Sequence, residues 1–170
     1  MSYRVIGAVM VMAASTAVGF SVASSQKKEV AALLQLIRAL EFMRCELEFR
    51  LPVLAELCRG ASSQVSGPVA DVFQKTADEM EKQLSAEPGA CICTAVNGVD
   101  RLPEVAARNI LLLGKTLGRF DLEGQLSGIE SVLQLCRRDL QGLQCDQETR
   151  MRSYRTLGIC AGAALVILFI

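Results

Sequence analysis

The sequence contains no histidine. That absence removes the commonest general base near neutral pH, the serine and cysteine nucleophiles that depend on imidazole, and zinc sites built on His. Tryptophan is absent too, aromatic residues make up 5%, and there are only 4 prolines. Ala, Leu, Glu, Gln and Arg outnumber Val, Ile, Thr and Tyr, which disfavours a sandwich or barrel. Neither sign of charge is in excess, with Lys+Arg 18 against Asp+Glu 18, so no global basic field points to nucleic acid. What the chain has in quantity is apolar side chains. Hydrophobic residues make up 51% and mean hydropathy is +0.34, too apolar for a disordered chain and high for a soluble domain. At 170 residues the length fits one compact domain or slightly more.

The apolar excess sits at the two ends. Residues 5–23 carry no charge and, as a helix, would be about 28 Å long, close to the hydrocarbon thickness of a bilayer. Residues 156–170 are also uncharged and would reach about 22 Å, with Arg152 and Arg155 able to snorkel to the interface. The expectation is an N-terminal transmembrane helix over 5–23 and a C-terminal membrane segment over 156–170. A second reading of the N-terminus is a signal peptide, with Arg4 as its basic start and Ser21-Val22-Ala23 as a cleavage site. Between the ends, Lys27 to Arg155 is polar. Lys27 and Lys28 flank it on one side and Arg150, Arg152 and Arg155 on the other, which places this segment in the cytosol. The 7 cysteines are odd in number and scattered through helical patterns, as in a reducing compartment.

The polar segment reads as helices joined by short connections. Glu29 to about Arg50 carries Leu33, Ile37, Leu40 and Leu47 at helical spacing. Pro52 suits the first turn of a second helix that runs to about Arg59, where Gly60 marks a break. A third helix starts at Gly67-Pro68 and presents Val69, Val72, Phe73 and Ala77 on one face. A short fourth covers about Gly89 to Val96. Pro103 opens a fifth, with Gly118 as a left-handed terminator. Asp121 is a candidate N-cap for the sixth and longest, whose seam is Leu126, Ile129, Leu133, Cys136, Leu140 and Leu143. The fold expected is therefore all-α, a six-helix antiparallel bundle over 27–155 with membrane helices at both ends.

Few residues suggest chemistry. Gly114-Lys115-Thr116 invites a phosphate-loop reading, but position 109 is Asn where that loop needs Gly, and the preceding residues are helical. Cys91-Ile92-Cys93 lacks a second pair to complete a metal site. Acidic residues such as Glu41, Glu46, Glu48, Asp78, Glu79, Glu81, Asp121 and Glu123 have Lys or Arg nearby in sequence, as a solvated bundle face does.

The run Leu113-Gly114-Lys115-Thr116-Leu117-Gly118-Arg119-Phe120-Asp121-Leu122-Glu123-Gly124-Gln125 resembles the signature of the stage III sporulation protein AB family, a Leu-Gly-x-x-Leu-Gly-x-x-Asp-x-x-x-Gln pattern. It is held at Leu113, Gly114, Leu117, Gly118, Asp121 and Gln125. Gly7-Ala8 and Gly19-Phe20 in the first apolar stretch, and Glu46-Leu47-Glu48-Phe49 in the first polar helix, extend the likeness along the chain. One departure is Leu51-Pro52-Val53-Leu54, where the family usually has Thr-Pro-Leu with its Pro one place later.

The resemblance implies a fold similar to the cytosolic domain of the F platform protein of type II secretion systems. It implies a membrane protein of the mother cell, in the outer forespore membrane during engulfment, belonging to the channel complex that endospore formation needs. The partners implied are the companion ATPase, stage III sporulation protein AA, other proteins of the same complex, and membrane lipid; a homo-oligomer is compatible with this. The leading expectation is a structural platform that docks the ATPase, with no enzymatic activity, cofactor, metal or nucleic acid. Two other classes stay open, an extracytoplasmic helical module released by cleavage after Ala23, and a membrane metal-binding protein that uses the carboxylates and cysteines.

Overall fold

A computed structural model describes the backbone of residues 2–82, 87–118 and 121–169, and the side chains of 25–82, 87–118 and 121–145. Six helices follow in order: α1 (Ser2–Phe49), α2 (Leu54–Gln64), α3 (Pro68–Lys82), α4 (Pro88–Asn97), α5 (Glu104–Gly114) and α6 (Leu122–Phe169). No strand occurs among the described residues. The two long helices, α1 and α6, lie side by side and antiparallel. Arg44 Nη1 meets Glu130 Oε2 at 2.9 Å, and Arg137 Nη2 meets Glu41 Oε1 at 2.8 Å, so the partner on α6 moves backwards as α1 advances. The four shorter helices pack in sequence beside this pair, α2 on α3, α3 on α4 and α4 on α5, with α5 returning to both α1 and α6.

One core runs through the bundle. Leu33, Leu36, Leu40 and Met43 of α1 meet Leu57 of α2, Val72 and Phe73 of α3, Ile92 of α4, Ile110 of α5, and Ile129, Leu133 and Cys136 of α6. These positions recur every three or four residues because that spacing keeps side chains on one face of a helix. Val105, Leu112, Leu126, Leu140 and Leu143 are only half-buried at its margin.

The helix ends follow from identifiable residues. Pro103 precedes α5 with φ −61° and ψ 143°, and Pro88 is the first residue of α4. Gly67, before α3, has φ +74°, a conformation that costs glycine little. Three boundaries differ from the sequence reading. Gly60 does not break α2. It lies inside the helix, which continues to Gln64, and a Cβ there would come within 2.8 Å of Phe42 Cε1. Its small size serves packing rather than a turn. Pro52 stands outside α2, because the chain first passes through Leu51 at φ 51°, and Val53 takes the N-cap position. The fifth helix ends at Gly114, four residues before Gly118, and the chain reaches Gly118 through turns.

Among the described residues no helix is long and apolar enough to cross a membrane. Residues 5–23 and 156–169 form the far ends of α1 and α6, and their side chains, that of Cys160 included, lie outside the described residues, as do Leu84, Arg119, Phe120 and Ile170.

Candidate functional site

The signature residues converge on one corner, where α5 turns into α6 beside the start of α4. Leu113 and Leu117 are fully buried in the core, and Gly114 is buried between them. The α5 carbonyls are used up in a tightening turn. Lys115 N–H donates to Leu112 O at 3.1 Å, while Thr116 N–H and Leu117 N–H both donate to Leu113 O at 3.0 and 3.1 Å. Thr116 Oγ1 donates to the same carbonyl at 2.9 Å.

Glycines let neighbouring helices approach closely here. A Cβ on Gly89 would lie 2.7 Å from the carbonyl oxygen of Gly114, and one on Gly114 would lie 3.3 Å from Ile92 Cγ2. On the other side, a Cβ on Gly128 of α6 would come within 2.6 Å of Thr116 Cβ. Gly118 combines both demands. Its φ is +74°, and a Cβ there would sit 2.6 Å from Pro88 Cγ and 3.5 Å from Leu54 Cδ2. The 114–118 stretch is thus clamped between α4 and α6.

Asp121 closes the corner. Its Oδ1 accepts a hydrogen bond from Gly124 N–H at 3.0 Å, and its backbone carbonyl accepts from Gln125 N–H at 2.9 Å. The first bond satisfies one of the N–H groups that a helix start leaves without an internal partner, and the carboxylate charge suits the positive end of the helix. Gln125 is half-buried on the next turn. Leu113, Gly114, Leu117, Gly118 and Asp121 are therefore accounted for by packing, chain reversal or capping.

The phosphate-loop reading of Gly114-Lys115-Thr116 has no geometric basis. Gly114 is the last residue of a helix, no strand precedes it, and the Thr116 hydroxyl is engaged with a backbone carbonyl. Cys91 is buried and Cys93 exposed, so the pair does not converge on one point. No group of metal-holding side chains occurs among the described residues.

A polar cluster that the sequence reading passed over lies between α5 and α6. Asn109 is fully buried and donates from Nδ2 to Asp139 Oδ2 at 3.0 Å, where Arg108 Nη2 also arrives at 3.1 Å. The Cys136 thiol sits beside Asn109; burial pushes it up to about 12, and the hydrogen bond from Asn109 only partly offsets that. The signal was an Asn in register with Ala106, Ile110 and Leu113 on an otherwise apolar stripe. Cys58 is likewise pushed up to about 12, by burial first and by the neighbouring Cys91 second. Such thiols are inert packing groups at neutral pH.

At the end of the bundle where α1 passes into α2, a second feature escaped the sequence reading. Phe49, Leu51 and Val53 expose 78%, 63% and 74% of their surface. An open groove lined by Phe42, Glu46, Arg50, Pro52 and Glu56 runs beside them. The signal was present as three large apolar residues at alternate positions in a junction where polar turn residues are the norm.

Compared with known proteins, the chain matches the family model for Stage III sporulation protein AB over residues 4–170. It is also similar to a solved structure of Stage III sporulation protein AB, with 18% identity and a TM-score of 0.62, over 72% of this chain and 98% of that one. No functionally curated protein matches it.

Proposed function

The chain belongs to the stage III sporulation protein AB family, and on that premise we propose that it is a non-catalytic platform of the channel complex joining mother cell and forespore. In this reading the ends, 5–23 and 156–170, hold the protein in the mother-cell membrane. The bundle over 27–155 faces the mother-cell cytosol and docks the companion ATPase, stage III sporulation protein AA. The observation that carries the reading is the use made of the signature. Leu113, Gly114, Leu117, Gly118 and Asp121 are committed to burial, close backbone approach and a helix cap. A rigid corner of this kind positions surfaces rather than bonds. The uncharged ends, with basic residues on the bundle side of each, support the membrane topology.

The experiment is co-purification of the full-length chain, in lipid nanodiscs, with the companion ATPase, together with N-terminal sequencing of the membrane-bound form. Retention of the ATPase by a chain that keeps residues 1–23 is the expected result. A mature form that begins after Ala23, or an ATPase that does not bind, contradicts the platform reading.

A further inference from the structure

The tip of the bundle carries features that its own fold does not use. Phe49, Leu51 and Val53 stand out from the α1–α2 junction. Leu122, the first residue of α6, is 38% exposed, and the antiparallel register of α1 and α6 brings it to the same end. Single exposed apolar residues are ordinary, but a cluster at one end of a bundle marks an interaction surface. Leu51 also holds φ 51°, a left-handed conformation that is uncommon for a branched side chain. Its side chain is largely exposed to solvent rather than packed in the core.

The rim of the tip is acidic. Glu48, Glu56, Asp121 and Glu123 are exposed around it, and Glu46 and Glu56 line the adjoining groove. Against these stand Arg50, whose guanidinium lies 3.9 Å from Glu46, and Lys115. This charge pattern selects among occupants. A second copy placed tip to tip would bring like charges together. An anionic lipid surface would repel the rim, and the tip stands about 33 Å along α1 from the level of Lys27, where the chain leaves the bundle for its apolar end. A protein with an apolar socket edged by Lys or Arg satisfies both the side chains and the charges.

We propose that the tip built from Phe49, Leu51 and Val53 is the docking surface for a protein partner that offers an apolar socket bordered by basic residues. The inference rests on the platform reading above and makes this tip the place where the ATPase binds.

The test titrates the ATPase against the full-length chain in nanodiscs. The variants are F49S/V53S, E48K/E123K and L51G, with L111S, an exposed leucine on α5, as the control. Both tip double variants are expected to bind about tenfold more weakly or worse, F49S/V53S through truncated anchors and E48K/E123K through like charges set against the basic border, with L111S unchanged. L51G is expected to raise the melting temperature by relieving the backbone while still weakening binding, a split that a purely structural role does not produce. Wild-type affinity is expected to fall with added salt. An ATPase that binds wild type and tip variants equally overturns the docking surface and leaves the platform reading standing. An ATPase that does not bind wild type overturns both. Loss of self-association in the tip variants by sedimentation assigns the surface to a second copy and overturns the proposal. So does tip-dependent binding to vesicles of anionic lipid.

Discussion

Gly118 and Pro88 meet so closely that a Cβ on the glycine would stand 2.6 Å from the proline Cγ, while the glycine itself holds φ +74°. Two separate costs therefore fall on any substitution at 118. G118A should lose about 2–4 kcal/mol, from the left-handed backbone and from overpacking. Asn, which tolerates positive φ, should recover only the backbone part. Replacing Pro88 by Ala removes the colliding Cγ, so P88A should be less harmful in the G118A background than alone. Thermal melts of the four members of this cycle should show a coupling of at least about 0.5 kcal/mol; strict additivity would mean that the contact is absent.

Asp121 acts through its bond to Gly124 N–H. D121A should cost roughly 0.5–2 kcal/mol, and D121N considerably less, since an amide oxygen still caps although the charge at the helix start is lost. Melting curves beside a sporulation assay check this. Function lost in D121N at full stability would show that the carboxylate has a role beyond capping, in the acidic rim or in chemistry.

Two glycines should respond in opposite directions. Gly89 faces the Gly114 carbonyl at a distance that leaves no room for a methyl group, so G89A should destabilise by about 1–3 kcal/mol. Gly142 lies inside α6 with open space around it, so G142A should stabilise by roughly 0.5–1 kcal/mol. Equilibrium unfolding in urea reads both.

The buried thiols set the alkaline limit. Cys58 and Cys136 are held up to about 12, against an ordinary value of 9.0. Above pH 9 the unfolded chain loses these protons while the folded chain keeps them. Their contribution is therefore complete below pH 9 and is lost as the pH rises from 9 towards 12. C58A and C136A should each flatten the fall of stability over that range. At pH 8, Cys45, Cys93 and Cys145, which are exposed, should react with a thiol reagent, while Cys58 and Cys136 should wait for unfolding.

The helical architecture was legible because the bundle obeys local rules. Pro68 and Pro103 mark helix starts, Asp121 caps the sixth, and the apolar spacing locates the core faces. The rest depended on tertiary contacts. Gly60 resembles a break in sequence, yet it is a helical residue cut small to admit the Phe42 ring. Leu51 adopts a conformation that sequence assigns to Gly or Asn. Of the signature corner, the cap at Asp121 and the left-handed Gly118 could be read from residue type. The four-residue spacing of Gly114 and Gly118 hints at a close approach there, but its partner Gly89, and the meeting of Gly128 with Thr116, are distant in sequence and had no local signal. Asn109 with Asp139, and the exposed tip, were missed because a stripe of apolar residues hides a polar member and a junction hides its exposure.

Photo-crosslinking in sporulating cells reads whether the bundle holds a partner at its tip, as proposed above. A photoreactive benzoyl-phenylalanine would replace Phe49 in one strain and Leu111 in another. An adduct of the combined size of this chain and the companion ATPase is expected from position 49, and none from position 111. An adduct confined to position 111, or a product from position 49 containing only a second copy of the chain or lipid, would contradict it.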